Sequence, residues 1–389
     1  MNTFLRSART QAEWISDSLR PGRHPSAPLS IRRLLSLGLA LPPYSALQGL
    51  NWAGLALDRW LYPHYANASP EQPLFIMGLP RSGTTFVHRS LAAADTDFHS
   101  MRTWEALLAP SVCQRRLWQG LAKIDQRWLR GIVQRGLDTL VHWAASGLDE
   151  IHSVSLQDAE EDYLALLPAA ACFLAVLAFP DREDLWQLGY LDQLPEKQRR
   201  RIISAYLDIL ARQQYAQGHH RRLLSKNAAF GSWAGALASA LPEARFLICI
   251  REPAKGLDSQ LSAIEPAMQA LGTHAQPDRL RARFLELFAH QYQHLRQVCT
   301  DYPDRTEVVD MDLLADNPGP VLKQALRGLG LPISEQLQAA LEQAQRQGRG
   351  HRSRASQQPL TEIPEALMND YQALRQRATT SPLPMEKQA

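Results

Sequence analysis

The stretch Gly78-Leu79-Pro80-Arg81-Ser82-Gly83-Thr84-Thr85 has the residue types and spacing to hold an anion. Gly78 and Gly83 keep the G-x-x-x-x-G spacing of a phosphate-binding loop, in which inward-pointing backbone N–H groups cradle an anion at a helix N-terminus. A nucleotide triphosphatase carries lysine after the second glycine, where this chain has Thr84, and its own fixed cation, Arg81, lies inside the loop. Backbone amides, the hydroxyls of Ser82, Thr84 and Thr85, and one guanidinium make a holder for a short anionic group, with no evident metal. By itself the loop says anion, not which one.

A second candidate lies far along the chain. Arg251-Glu252-Pro253 follows the apolar run Arg245-Phe246-Leu247-Ile248-Cys249-Ile250, and Ser259 comes eight positions after Arg251. An arginine at the carboxyl end of a parallel strand faces the crevice where α/β folds bind ligands, and it can grip a phosphate with two parallel hydrogen bonds. A serine a little over two helical turns on can add a hydroxyl from the same side. Two anion grips, each at a strand end, fit a nucleotide phosphorylated at both its 5′ and 3′ positions.

These residues need a scaffold, and the hydrophobic pattern supplies one. Leu74-Phe75-Ile76-Met77 reads as a short buried strand ending at Gly78, with a helix starting near Thr84. Further strands are expected at 222–224, 245–250 and 306–311, and a long amphipathic helix runs from Leu280 to Val298. Strands alternating with helices imply a three-layer, P-loop-like α/β fold with a mostly parallel central sheet. Residues 1–68 read as a basic, helical N-terminal extension broken at Pro42-Pro43, and 69–389 as the main domain, with a helical insertion over 95–217 on the side of the second substrate. Leu164 to Phe179 is too short to span a bilayer and contains Pro168, so it is expected to be a buried helix.

Composition narrows the class. The 389 residues are 45% hydrophobic and 21% charged with a net charge of +3, a mildly basic balance that suits a small anionic ligand better than nucleic acid. Four scattered cysteines without ligand spacing read as reduced thiols in a cytoplasmic protein, and no signal peptide is evident in a start holding six arginines. The basic start leads into Leu34, Leu35, Leu37 and Leu39, then Trp52 and Trp60. Packing on the main domain is the first expectation for this segment, and peripheral contact with an anionic bilayer the second.

The chain resembles the PAPS-dependent sulfotransferase family. The loop is similar to the family's 5′-phosphosulfate loop in the Pro-Arg-Ser-Gly-Thr-Thr form of bacterial and Golgi-type members, and Arg251 with Ser259 resembles its 3′-phosphate motif. Ser225-Lys226-Asn227, Leu241-Pro242-Glu243-Ala244-Arg245-Phe246 and Asp312 to Pro318 extend the likeness, which covers about Pro73 to Pro332 with a weaker echo to Tyr371. The resemblance implies transfer of a sulfuryl group from PAPS to an acceptor hydroxyl, with PAP as product and no metal. It implies that Gly78, Arg81, Ser82, Gly83, Thr84, Thr85, Arg251 and Ser259 hold the donor, that Arg352 in a basic stretch closes over the 3′-phosphate, and that Arg81 and Lys226 act on the moving group.

The histidine base of cytosolic animal members has no clear counterpart. Glu105 is the first candidate base, being placed after the loop's own helix, with His152 and His99 as alternatives. The run Glu160-Glu161-Asp162 is expected to be a solvated helix face or a helix N-terminus, not a metal site. Trp104, Trp118, Trp128 and Trp143 in the insertion suggest a greasy cleft for an amphiphilic or lipid-like alcohol. A magnesium-dependent P-loop kinase or hydrolase, and a non-catalytic nucleotide- or membrane-binding relative, are the competing readings. Thr84 in place of the lysine opposes the first, and two intact phosphate grips oppose the second.

Overall fold

Five short parallel strands form one sheet in this computed structural model, which describes residues 2–132, 135, 136, 139, 158–218, 220–348 and 362–380. They are β1 (Leu74–Gly78), β2 (Phe98–His99), β3 (Arg222–Asn227), β4 (Arg245–Ile250) and β5 (Thr306–Asp310), in the order β2-β3-β1-β4-β5. The central β1 pairs with β3 and β4 in registers that set Met77 beside Asn227 and Gly78 beside Cys249. Four strands lie where the hydrophobic runs place them. The two-residue β2 was not expected, since a pair of residues carries no period to read.

Alternate residues of each strand feed separate cores, which accounts for the continuous apolar runs. Phe75, Met77, Phe246 and Ile248 join one cluster, and Leu74, Ile76, Leu247 and Cys249 the other. The second cluster is closed by Val87 and Leu91 from the helix after the loop and by Leu322, Leu326, Leu337 and Leu341. The first is closed by Phe284, Phe288 and Leu295, and by Leu367 and Leu374 near the C-terminus. Helices therefore cover both faces of a parallel sheet, the three-layer α/β arrangement.

The N-terminal segment packs against this body. Trp14 of α1 (Asn2–Ser18) is buried in the first core and donates to Asp184 Oδ2 at 2.6 Å. The helix α2 (Ile31–Leu61) runs through Pro42 and Pro43 without ending, contrary to the expected break. It is anchored on both sides of the prolines: Arg33 donates to Ala178 O and Leu271 O, and Asp58 accepts from Val112 N and Cys113 N. The helix α3 (Thr84–Ala92) precedes 95–217, whose described part contains α4 (Thr103–Leu108), α5 (Val112–Trp128) and α6 (Glu196–Gln217). Leu164 to Phe179 is not one helix. It makes two 3-10 turns, Asp162–Ala169 and Phe173–Leu177, separated where Ala170 takes a left-handed φ of 53° just after Pro168. Two further helices matter below, α7 (Pro253–Leu271) and α8 (Pro277–Asp301), followed by α9 (Glu365–Thr380).

Candidate active site

The loop from Gly78 to Gly83 joins β1 to α3 in a conformation that only some residues tolerate. Gly78 has φ 154° and a Cβ there would collide with the carbonyl oxygen of Cys249, on the adjacent strand. Gly83, φ 85°, begins α3, and a Cβ on it would lie 2.5 Å from Met311 Sδ. Arg81 takes φ 67°, a left-handed conformation that costs a non-glycine residue energy and recurs at functional sites. Ser82 is buried and donates from Oγ to Leu79 O at 2.7 Å, which closes the turn from within.

The two anion motifs meet. Arg81 Nε donates to Ser259 Oγ at 3.1 Å, and Arg251 Nη1 donates to Arg81 O at 3.1 Å. The cause is topological: β1 and β4 are parallel neighbours, so the loop after one and the arginine after the other emerge side by side. Ser259 arrives on α7, whose start is fixed by the Glu252 carboxylate accepting from Ala254 N and Lys255 N. Behind Arg251, the Tyr292 hydroxyl of α8 accepts from Arg251 N at 3.2 Å and packs against Tyr371 of α9, which donates to Asp310 Oδ2. Burial, with the like charge of Arg251 beside it, holds the Arg81 guanidinium below its ordinary pKa. Two cations drawn together at a helix start are relieved by an anion between them.

A second cluster sits on the other side of β1. Lys226 at the end of β3 is buried; its Nζ donates to Thr85 Oγ1 at 3.2 Å and to Glu160 Oε1 at 3.3 Å, and lies 2.9 Å from Glu161 Oε1. Burial works against the ammonium charge, yet Glu161 and Glu160 outweigh it and hold the Lys226 pKa above its ordinary value. Burial raises the Glu161 carboxyl despite Lys226. Next to it, Asp162 accepts from Tyr206 Oη at 2.7 Å and from Asn227 Nδ2 at 2.5 Å, and burial pushes its pKa up to about 6. The acidic run is therefore not a solvated face. Glu161 and Asp162 do open a 3-10 turn, as the second expectation had it, but they point at the strand end.

The pairing that brings them there is antiparallel: Arg102 bridges Ala159, and Glu160 N donates to Met101 O. Residues 158–161 thus form an extra edge beside the chain leaving β2. Sequence reading passed over Glu160 and Glu161 because contiguous carboxylates usually face water. The available signal was Lys226-Asn227 at a strand end, a buried cation and amide in need of acidic partners.

Glu105 lies elsewhere. It is buried at the third position of α4, where Oε2 accepts from Arg102 N at 2.8 Å and Oε1 from Gln217 Nε2 at 3.3 Å. Its carboxylate completes a capping box, and neither of these two bonds reaches the loop. His99 is buried in β2 with Nε2 3.0 Å from Gln214 Oε1, and burial pulls its pKa down to about 4. His152 and Arg352 fall outside the described residues. Among the described residues no group of His, Cys, Asp and Glu is placed to hold a metal ion, and the four cysteines are free.

The sequence matches the sulfotransferase family over residues 73–335. No curated protein matches it. The fold is similar to that of sulfotransferase STF1 from Mycobacterium tuberculosis, with a TM-score of 0.59 and 19% identity over 74% of this chain and 75% of that one. Sulfotransferase STF9 from Mycobacterium avium gives a TM-score of 0.54 and 17% identity over 83% of this chain and 79% of the other. The family match spans more than half of the chain and takes in the loop, Lys226, Arg251 and Ser259: the chain belongs to the sulfotransferase family.

Proposed function

We propose that the chain moves the sulfuryl group of PAPS to the hydroxyl of a small amphiphilic acceptor. The observation that carries this reading is the junction of the two anion motifs through Arg81, Ser259 and Arg251. A loop shaped for one phosphate, sharing a wall with a second arginine, fits an adenosine nucleotide bearing phosphate groups at both ends of its ribose. The Pro-Arg-Ser-Gly-Thr-Thr form of the loop supports a place among bacterial and Golgi-type members.

The residues present fit the donor: the positive φ of Gly78 and Gly83 shapes the loop between β1 and α3, and Arg81 and Arg251 bring two cations to its mouth. The other loop amides with Thr84 and Thr85 hold its 5′ end, Ser82 instead holding the turn closed on Leu79 O, and Arg251 with Ser259 holds the 3′-phosphate. The donor supplies an activated sulfuryl group and a bisphosphate leaving group. Arg81 places a cation where charge gathers on the leaving oxygen, and Lys226, beside Thr85, faces the moving group. Glu161, raised by burial and near Lys226, takes the acceptor proton, while Glu160 keeps Lys226 oriented and charged. This assignment replaces Glu105, whose Oε2 is taken by the helix cap and whose Oε1 is taken by Gln217. The turns Asp162–Ala169 and Phe173–Leu177 that follow pack into the core, and the amphiphilic acceptor rests on the apolar and aromatic content of the insertion.

Incubation of the full chain with PAPS and lipid extracts, followed by mass spectrometry, tests the reading. Products heavier by one sulfate group, with release of PAP and no need for magnesium, are expected. Magnesium-dependent consumption of ATP without a sulfated product would favour the kinase or hydrolase instead.

A further inference from the structure

We propose that α2 and α5 form a docking surface for an anionic lipid bilayer. The two helices touch: Asp58 accepts from Val112 N and Cys113 N, and Gln114 Nε2 donates to Asn51 Oδ1 at 2.9 Å. Away from that contact both present large apolar side chains to solvent. On α2, Ile31, Leu39 and Trp60 are 79%, 77% and 87% exposed. On α5, Leu117, Leu121, Ile124 and Trp128 recur at i, i+4, i+7 and i+11, one stripe of a helix, and Trp128 is 74% exposed. Apolar surface of this extent is not explained by packing, because the faces of the same helices that do pack carry a separate set of buried residues.

The charges decide the occupant. Each helix contains one acidic residue, Asp58 in α2 and Asp125 in α5, and both are buried. Arg33 and Arg115 are buried as well. What remains exposed is Arg32, Arg59, Arg116, Lys123 and Arg127, cations without an exposed acid on either helix. A second copy of the chain meeting this face in a two-fold contact would bring those cations against one another. A bilayer rich in anionic headgroups complements them, while leucine and tryptophan side chains enter the interfacial region. The contact is interfacial, since no helix among the described residues is long and apolar enough to cross a membrane. Such docking would carry the protein to lipid-borne acceptors, yet the surface stands on its own geometry and does not depend on the reaction assigned to the site.

Sedimentation of the full-length chain with vesicles tests the inference. Vesicles containing phosphatidylglycerol are expected to pull it down, and pure phosphatidylcholine vesicles to do so at least about tenfold more weakly. Raising the salt concentration should release it. Lys123→Glu with Arg127→Glu, and separately Leu39→Ser with Trp60→Ser, should each reduce binding by about tenfold or more. Thermal stabilisation by adenosine 3′,5′-bisphosphate should be the same in wild type and variants, which controls for folding. Equal sedimentation with both vesicle types, or none with either, would overturn the proposal. So would a solution dimer that Trp60→Ser dissociates in a chain that ignores anionic vesicles.

Discussion

The proposed donor end and the proposed acceptor end of the site are built in different ways. The donor end is local: one strand, one loop and one helix, Leu74 to Ala92, put amides, hydroxyls and Arg81 in place, and a neighbouring strand adds Arg251. The acceptor end is assembled from separate stretches: Lys226 from β3, Thr85 from α3, and Glu160 and Glu161 from a segment that pairs with the chain leaving β2. A contiguous motif fixes the first through backbone geometry. Only tertiary pairing fixes the second, and it does so with buried charge. The donor end should therefore tolerate acid and fail by losing affinity, whereas the acceptor end should fail by losing rate or fold.

The sharpest way to break this division is Glu161→Gln. It should lower kcat by about 10²- to 10⁴-fold and leave adenosine 3′,5′-bisphosphate affinity unchanged. The wild-type rate should fall as the pH drops through the raised Glu161 pKa, an acid limb set above the ordinary carboxylate range that the variant lacks. Retention of near wild-type kcat would move the proton transfer to another group.

Acid should next weaken the acceptor-side edge of the sheet. His88, whose Nε2 lies 3.0 Å from Ser100 Oγ, is pulled down to about 3 by burial, and His99 to about 4. The unfolded chain binds protons at these rings from about pH 6.5 downward, so stability is full above that pH and is lost as the pH falls toward the folded values. Asp162, raised to about 6, works in the opposite sense, regaining stability as the pH drops below that value. From pH 7.5 to 5 the loss at the two histidines should outweigh the gain at Asp162, read as a fall in the urea midpoint. A flat profile would remove the histidines from the account.

These two edges also show what was legible in the sequence. β1, the loop and the start of α3 were readable because each announces itself within a few residues: an apolar run, glycines at fixed spacing, then helical periodicity. Arg251 and Ser259 were readable for the same reason, one strand end followed by a helix. Glu105 is suggested by its place after the loop's own helix. The bridge between Arg102 and Ala159 brings Glu160 and Glu161 to Lys226, and the proposed base is Glu161, which lies beyond a long insertion that no local pattern predicts. The helix through Pro42-Pro43 was hidden likewise, because contacts from Arg33 and Asp58 override what two prolines do locally.

Smaller effects refine the comparison. Arg251→Ala should weaken bisphosphate binding by about 10- to 100-fold, the loss of charge-assisted hydrogen bonds, and spare kcat at saturating donor. Glu105→Ala should cost about 1 kcal/mol in thermal or urea unfolding through the lost cap and leave the transfer rate intact. A collapse of kcat with unchanged stability would return Glu105 to the chemistry.

The central claim is that the loop and Arg251 make one site for a nucleotide phosphorylated at both ends of its ribose. Calorimetric titration of wild type and Arg251→Ala with adenosine 3′,5′-bisphosphate and with AMP, which lacks the 3′-phosphate, tests it most directly. The account predicts that wild type prefers the bisphosphate by at least about tenfold and that the variant binds the two alike. Equal affinity of wild type for both nucleotides, or tight binding only of ATP with magnesium, would contradict it.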